Sequence, residues 1–495
     1  MKTSLYLLLF VFSLQSFGQN MQFNKLYDEN DLWQGTAAVI ETPNQNYLLS
    51  GLNIGFSWND FYLHNYIVNY EGEIINYAKV VSQDTLNYYY VGFQSLFRTN
   101  IGYLLAGTQE EYVNQIQKDD GYLMKIDEEG NKVWQKNYGG YNFDGFDAMI
   151  LKNAHELVLA GVSHSFGDSS WGNIYIVKTD TAGELIWQKS LGINNFPERC
   201  WSIDTTSDGG YVLAGIQGFD SQENVFVIKI DSLGNQKWKK NFGSAIGNNI
   251  LPRIRSLLNG DFLLTTALKT SVNSLTKAYI TRLSPTGSKI WQRYYPGEEW
   301  NSWFGFATEL SDGTLVNAGG LMEYDSASVN YWVRGTLTKT DAQGNLMWQR
   351  KYFTTQYDNY FFAMIPTSDA GFLMGGFAYR PGNNRQDAWA VKVDSLGCLE
   401  PGCTGSVAAP EPGAAIGLRL YPNPASSWLI VESPEEPMLG LRLTNPDGRT
   451  VEDVQFFRQY PVRDYRLSLA TLPPGTYVLS VRTDKGWVSE KIIKQ

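Results

Sequence analysis

The sequence predicts an all-β protein, and three observations carry that expectation. Aromatic residues fill 14% of the 495 positions, with 30 Tyr, 25 Phe and 15 Trp, and such side chains favour pleated, half-buried strands. Glycine is abundant at 47 residues while charged residues are only 18%, the balance of a strand-and-turn chain rather than a helical or disordered one. One hairpin-like stretch, DSLGNQKWKKNFG at residues 231–243, recurs along most of the chain. A chain of this length has room for two or three domains and a sizeable core.

The N-terminus, MKTSLYLLLFVFSLQSFGQN, has one lysine, an apolar run from Leu5 to Leu14 and the small-residue pattern Ser16-Phe17-Gly18. It reads as a secretory signal peptide over residues 1–19, too short and wrongly flanked for a membrane anchor. No later run is apolar enough to span a bilayer, so no transmembrane segment is expected. The formal charge of −10 disfavours nucleic acid and anionic lipid as partners, because both need a basic face that displaces counterions.

The recurring hairpin has kin in IDEEGNKVWQKNYGG, TDTAGELIWQKSLG, LSPTGSKIWQRYYPG and TDAQGNLMWQRKY, with turn glycines Gly130, Gly183, Gly234, Gly287 and Gly344. Weaker copies at Gly72 and Gly397 make seven, spaced 51 to 58 residues apart. Each has a second hairpin upstream, such as CWSIDTTSDGGYVLAG or FGFATELSDGTLVNAGG. Two hairpins per unit are four short antiparallel strands, and seven such units predict a seven-bladed β-propeller over residues 20–404. In the quoted turn Asp231 can accept from the turn's own amides and Gly234 supplies a positive φ. After the turn, Trp238, Lys240 and Phe242 share one strand face by the period of two, as do Trp134, Lys136 and Tyr138; these aromatics are expected to pack between blades.

The seventh unit stops after Gly397, with Pro401 where the Trp belongs. Just after the signal peptide, MQFNKLY offers Phe23, Lys25 and Tyr27 in the same pattern. The N-terminus is therefore expected to supply the last blade's fourth strand, removing unpaired edges and tying the ends of the ring together.

GSVAAPEPGAAIG, residues 405–417, is small, Pro-rich and nearly uncharged, as linkers are. Beyond it, residues 418–495 hold seven Arg and a net charge of +1, so residues 20–417 carry −12 and the acidity belongs to the ring. Alternating segments such as TYVLSVRTDKGWVSEKIIK predict a small, Ig-like β-sandwich. This segment resembles the type A C-terminal sorting domain of the type IX secretion system. The resemblance rests on YPNP at Tyr421, Pro422, Asn423 and Pro424, on the spacing from Leu469 through Gly475 to Tyr477, and on the basic end at Lys491 and Lys494. A second proline, Pro474, precedes Gly475 and departs from the pattern. The resemblance implies passage through the inner membrane, handling by the type IX machinery at the outer membrane, and a secreted or surface location, with the domain usually removed. The ring in turn resembles repeat propellers of secreted proteins that carry this tail, and more distantly quinoprotein-type propellers, although no quinone pocket or calcium ligands are assignable. The sialidase Asp-box spaces its Asp, Gly and Trp differently and does not match.

Chemistry-bearing constellations are sparse. His64, His155 and His164 are the only histidines, too few for a multi-histidine metal site, and none lies in a nucleophile-elbow context. Asp204 and Asp208 in DTTSDGG superficially resemble a calcium loop, yet Asn44, Asn153 and Asn259 stand at equivalent positions, as a plain turn tolerates. No metal, cofactor or catalytic residue is assigned. Cys398 and Cys403 in GCLEPGC are expected to form a disulfide in an oxidising compartment, and Cys200 to be a small buried residue. The loops joining second to third strands, and blade to blade, share one end of the ring and carry Trp58, Tyr62, Trp171, Trp300, Trp303 and Tyr357. Flat amphipathic rings there suit a platform for a glycan or protein ligand. The predicted function is a secreted or surface-displayed binding or adhesion module. An extracellular polysaccharide-active enzyme and a structural surface protein are the alternatives.

Overall fold

The computed structural model describes residues 22–28, 33–54, 62–81, 88–113, 116–167, 171–192, 196–219, 224–242, 250–268, 277–295, 302–325, 330–380, 385–400, 418–433, 436–445, 450–456, 462–483 and 486–495. The expected signal peptide, the linker and Cys403 lie outside them. The described residues contain strands and turns and no helix.

Through Val393 the described strands form seven four-stranded antiparallel sheets. The first sheet runs β2 (Trp33–Glu41), β3 (Tyr47–Ile54), β4 (Tyr62–Val68) and β5 (Ile74–Val80), in that order. The next five follow the same order. The last is built from Asn359–Pro366, Phe372–Tyr379 and Gln386–Val393, with β1 (Phe23–Tyr27) as its outer strand. β1 pairs Phe23 with Lys392, Lys25 with Ala390 and Tyr27 with Ala388, so the segment singled out as the missing fourth strand occupies that place. The first strand of each sheet packs on that of the next, and the seventh returns to β2. This cycle of sheets is a β-propeller.

The sequence repeat accounts for the contacts between blades. All seven turn glycines have positive φ, from 72° at Gly397 to 87° at Gly130, where a Cβ is strained. The glycine also leaves room for the preceding blade: a Cβ on Gly287 would lie 2.9 Å from the Trp238 ring, and one on Gly344 the same distance from Trp291. Four residues after the aromatic, a hydroxyl locks the same turn. Tyr138 donates to the Gly183 carbonyl at 2.7 Å, Tyr352 to Gly397 at 2.7 Å, and Tyr27 of β1 to Gly72 at 3.1 Å. The intervening lysine reaches the residue after the glycine, as in Lys136 to Glu184. The Trp-x-Lys-x-Tyr pattern is thus a clamp on the neighbouring turn. Trp134, Trp187 and Trp238 are half-buried in it, and the fully buried core is instead the aliphatic face of each sheet, for example Ile150, Val158 and Ile176 against Ile203, Leu213 and Ile228.

From residue 418 a three-stranded sheet (Arg419–Tyr421, Trp428–Glu432, Asp464–Ser468) and a four-stranded sheet (Thr450–Gln455, Gly440–Thr444, Gly475–Thr483, Gly486–Lys494) share one core. Leu429, Val431 and Leu467 from the first meet Leu441, Leu479, Val481 and Ile492 from the second.

Candidate functional site

In each blade the tight turns close one end of the ring, and the connections from second to third strand and from blade to blade lie at the other. Among the described residues of that loop end, two aromatic groups bear on the expected platform. In the third and fourth blades, Trp171 meets Phe219 edge-on at 4.9 Å, and Phe219 meets Phe196 at 5.7 Å. Trp171 and Phe219 remain 44% and 43% exposed. In the sixth blade the second and third strands, Leu315–Asp325 and Asn330–Thr340, are each 11 residues long. Near their tip Tyr324 and Tyr331 pack at 5.0 Å, while Trp332 meets Tyr357 at 4.8 Å.

Of the six aromatics expected to form a platform, the structure places two, Trp171 and Tyr357, at this end, in different groups. Tyr62 is a correction. It begins β4 and is fully buried, with the Lys79 ammonium 3.6 Å from its ring centroid, because the strand starts earlier than the loop reading assumed. Trp303 lies on the first strand of the sixth blade, paired with Gly320, and its side chain falls outside the described residues, as do Trp58 and Trp300. Phe196, Phe219 and Trp332 were missed. Phe196 and Phe219 occupy connections at this end and Trp332 the start of a third strand, but a lone Phe in GFDSQEN carries no repeat signal.

Polar groups at the loop end serve the frame. Asp144 accepts from the Gly140 amide and the Ser165 hydroxyl, both at 2.6 Å. Asp120 pairs with Lys118 at 3.0 Å. A Cβ on Gly139 would lie 2.4 Å from Asp120 Oδ1 and 2.8 Å from Asp144 Oδ2, so glycine is needed where these carboxylates approach. Among the described residues no group of three or more His, Cys, Asp or Glu is placed to hold a metal.

At the turn end, Asp208 holds the Lys229 ammonium with both oxygens at 2.7 Å, which keeps its carboxyl low, at about 2. Asp369 and Lys392 repeat the contact, as do Asp261 and Arg282. The acidic residue that looked like a calcium ligand is therefore the partner of its own blade's third strand. Cys200 is fully buried and free, and burial pushes its thiol to about 12, which suppresses thiolate chemistry. Cys398 is engaged in a disulfide.

In the sandwich, the signature residues are mostly architectural. Asn423 clamps the last strand: its amide donates to the Lys491 carbonyl at 2.9 Å and its oxygen accepts from the Ile493 amide at 2.9 Å. Leu469 is fully buried, and buried Tyr477 donates to the Pro473 carbonyl at 2.8 Å. Tyr421 donates to Glu432 at 2.5 Å. Lys491 is exposed and Lys494 half-buried on the final strand. Residues 419–495 match the family model of the secretion system C-terminal sorting domain. They are a type IX sorting domain. The sorting domain implies handling by the type IX machinery and export to the cell surface or the medium.

For the whole chain, no curated protein matches in sequence. Among solved structures it is similar to an ulvan lyase of polysaccharide lyase family PL25 (9% identity, TM-score 0.47, covering 75% of this chain and 96% of that one). It is also similar to the GH93 α-L-arabinofuranosidase of Fusarium graminearum (11%, 0.43, 77% and 99%) and to an α-L-arabinanase of Penicillium chrysogenum (11%, 0.39, 76% and 98%).

Proposed function

We propose that the protein is an exported seven-bladed propeller that binds an extracellular glycan or protein through its loop end. The observation that carries this reading is the Trp171–Phe219 contact, two large rings nearly half exposed and touching across neighbouring blades. The repeated clamps hold the blades without them. Clustered exposed aromatics are a costly surface unless a partner covers them, and rigid rings bind sugars or proteins with little loss of rotamer entropy.

The test is a glycan and protein-ligand array with the full chain, run beside a polysaccharide degradation assay. Trp171→Ala and Phe219→Ala are each expected to weaken binding about 5-fold, equivalent to about 1 kcal/mol. A ligand bound equally by parent and variants would refute the loop-end reading, and turnover of a polymer would favour the enzyme.

A further inference from the structure

The ring axis holds a cluster of charge that the loop-end reading does not use. The first strand of every blade carries a bulge at the same level, and bulges re-aim side chains. In the third, fourth and seventh blades the bulged residues are Asp147, Trp201 and Phe362. Side chains at this level cross the axis. Arg253 comes from the fifth blade, yet its guanidinium lies 4.8 Å from the Phe93 ring of the second and 5.5 Å from Phe306 of the sixth. Phe93 also touches Phe362 at 5.2 Å.

Arg253 is 2% exposed. Its Nη1 donates to the Trp201 carbonyl, and its buried Nε has no partner among the described residues. The carboxylate beside it, Asp147, is taken by Arg199 in a two-bond fork at 2.7 and 2.6 Å. Asp204 accepts from the Ser256 amide and lies 3.8 Å from Arg255. Both Asp147 oxygens are therefore engaged by Arg199, and among the described residues Arg253 has no ion pair of its own. A second unpaired donor, the buried Trp201 Nε1, belongs to the same level, and Arg199 stacks over that indole at 4.3 Å. Arg199 stands two residues nearer the loop end and keeps 37% of its side chain exposed.

Burying a guanidinium without an acid costs several kcal/mol, and unmet N–H donors add to the cost. Arg offers a forked set of donors that fits carboxylate, sulfate and phosphate oxygens. We propose that the ring axis is an oxyanion site, in which Arg253 and Trp201 Nε1 bind a carboxylate or sulfate that enters past Arg199. An acidic sugar or a free inorganic anion supplies the same chemistry. This inference stands apart from the aromatic groups at the loop end.

The full chain would be titrated at constant ionic strength with sodium glucuronate, sodium sulfate and neutral methyl glucoside, reading tryptophan fluorescence and melting temperature. A saturable response to glucuronate or sulfate, absent for the glucoside, is expected. Glucuronate alone would identify a sugar acid as the source, and an equal response to sulfate a general anion site. Arg253→Gln should weaken the response at least 10-fold and Arg253→Lys should retain part of it. No saturable response in the parent, or the same affinity in Arg253→Gln, would overturn the proposal. Should that variant fail to fold, parent crystals grown with selenate decide the matter: anomalous signal beside Arg253 supports the site, and its absence there rejects it.

Discussion

Trp238 illustrates how one residue type serves the ring. Its indole lies under the turn of Gly287 in the following blade and touches Phe262 at 6.3 Å, half-buried rather than enclosed. That aromatics at this position pack between blades was legible from period-two spacing. Their degree of burial was not, because spacing reports the face and says nothing of what covers it. Trp238→Ala is expected to cost about 2 kcal/mol, below the range for a fully enclosed Trp, measured by urea denaturation. Trp171→Ala should stay within about 0.5 kcal/mol of the parent, which separates clamp from surface. His64 makes the residue-scale pH prediction. It is fully buried, neither ring nitrogen has a partner among the described residues, and burial lowers its pKa to about 3. Between the ordinary value near 6.5 and about 3, the unfolded chain binds a proton that the folded chain refuses. Stability therefore falls as pH falls through that window, by up to about 1.4 kcal/mol per pH unit. Unfolding free energies of parent and His64→Leu between pH 7 and 4.5 should diverge with that slope; parallel curves would contradict it.

At the scale of elements, β1 is the joint. Phe23 and Tyr27 are buried at 4% and 3% exposure, Asn24 accepts from Trp389 Nε1 at 2.7 Å, and Arg380 bonds both Asp28 and Asp387. This strand was readable from MQFNKLY because a repeat broken at Gly397 leaves a partner-shaped gap. Loop residues such as Phe219 offered no template, since nothing in the ring dictates them. Deleting residues 22–27 should expose the edge of Gln386–Val393 and lower stability by about 3 kcal/mol or more; unchanged melting would disprove the joint. A second device lies at the same blade's other end. Cys398 is 1% exposed and disulfide-bonded, Cys200 is free, and the chain holds one more cysteine, Cys403. We propose the 398–403 bridge, which closes a short loop and is worth about 2 kcal/mol by chain entropy. Mass spectrometry of exported protein should show the linked peptide, and two alkylated thiols would rule it out.

The whole molecule combines a ring in which most blades carry the same clamp on the neighbouring turn with a sandwich that carries an address. The two parts were separable in the sequence because their charge, repeat and composition change at the linker. Each has its own aliphatic core, and domains with separate cores fold as separate units. The ring does not need the sandwich to close, since β1 pairs with Gln386–Val393 within the ring itself. In the sandwich, Asn423 holds the YPNP segment to the final strand, next to exposed Lys491. Deleting residues 418–495 is therefore expected to leave a folded propeller that accumulates in the periplasm. Asn423→Ala should reduce export by loosening that edge while leaving the propeller's melting unchanged. Cell fractionation with proteolytic probing of the truncated chain is the measurement. Truncated protein on the surface would show that the address lies elsewhere, and truncated protein without a cooperative melt would show that the ring depends on its tail.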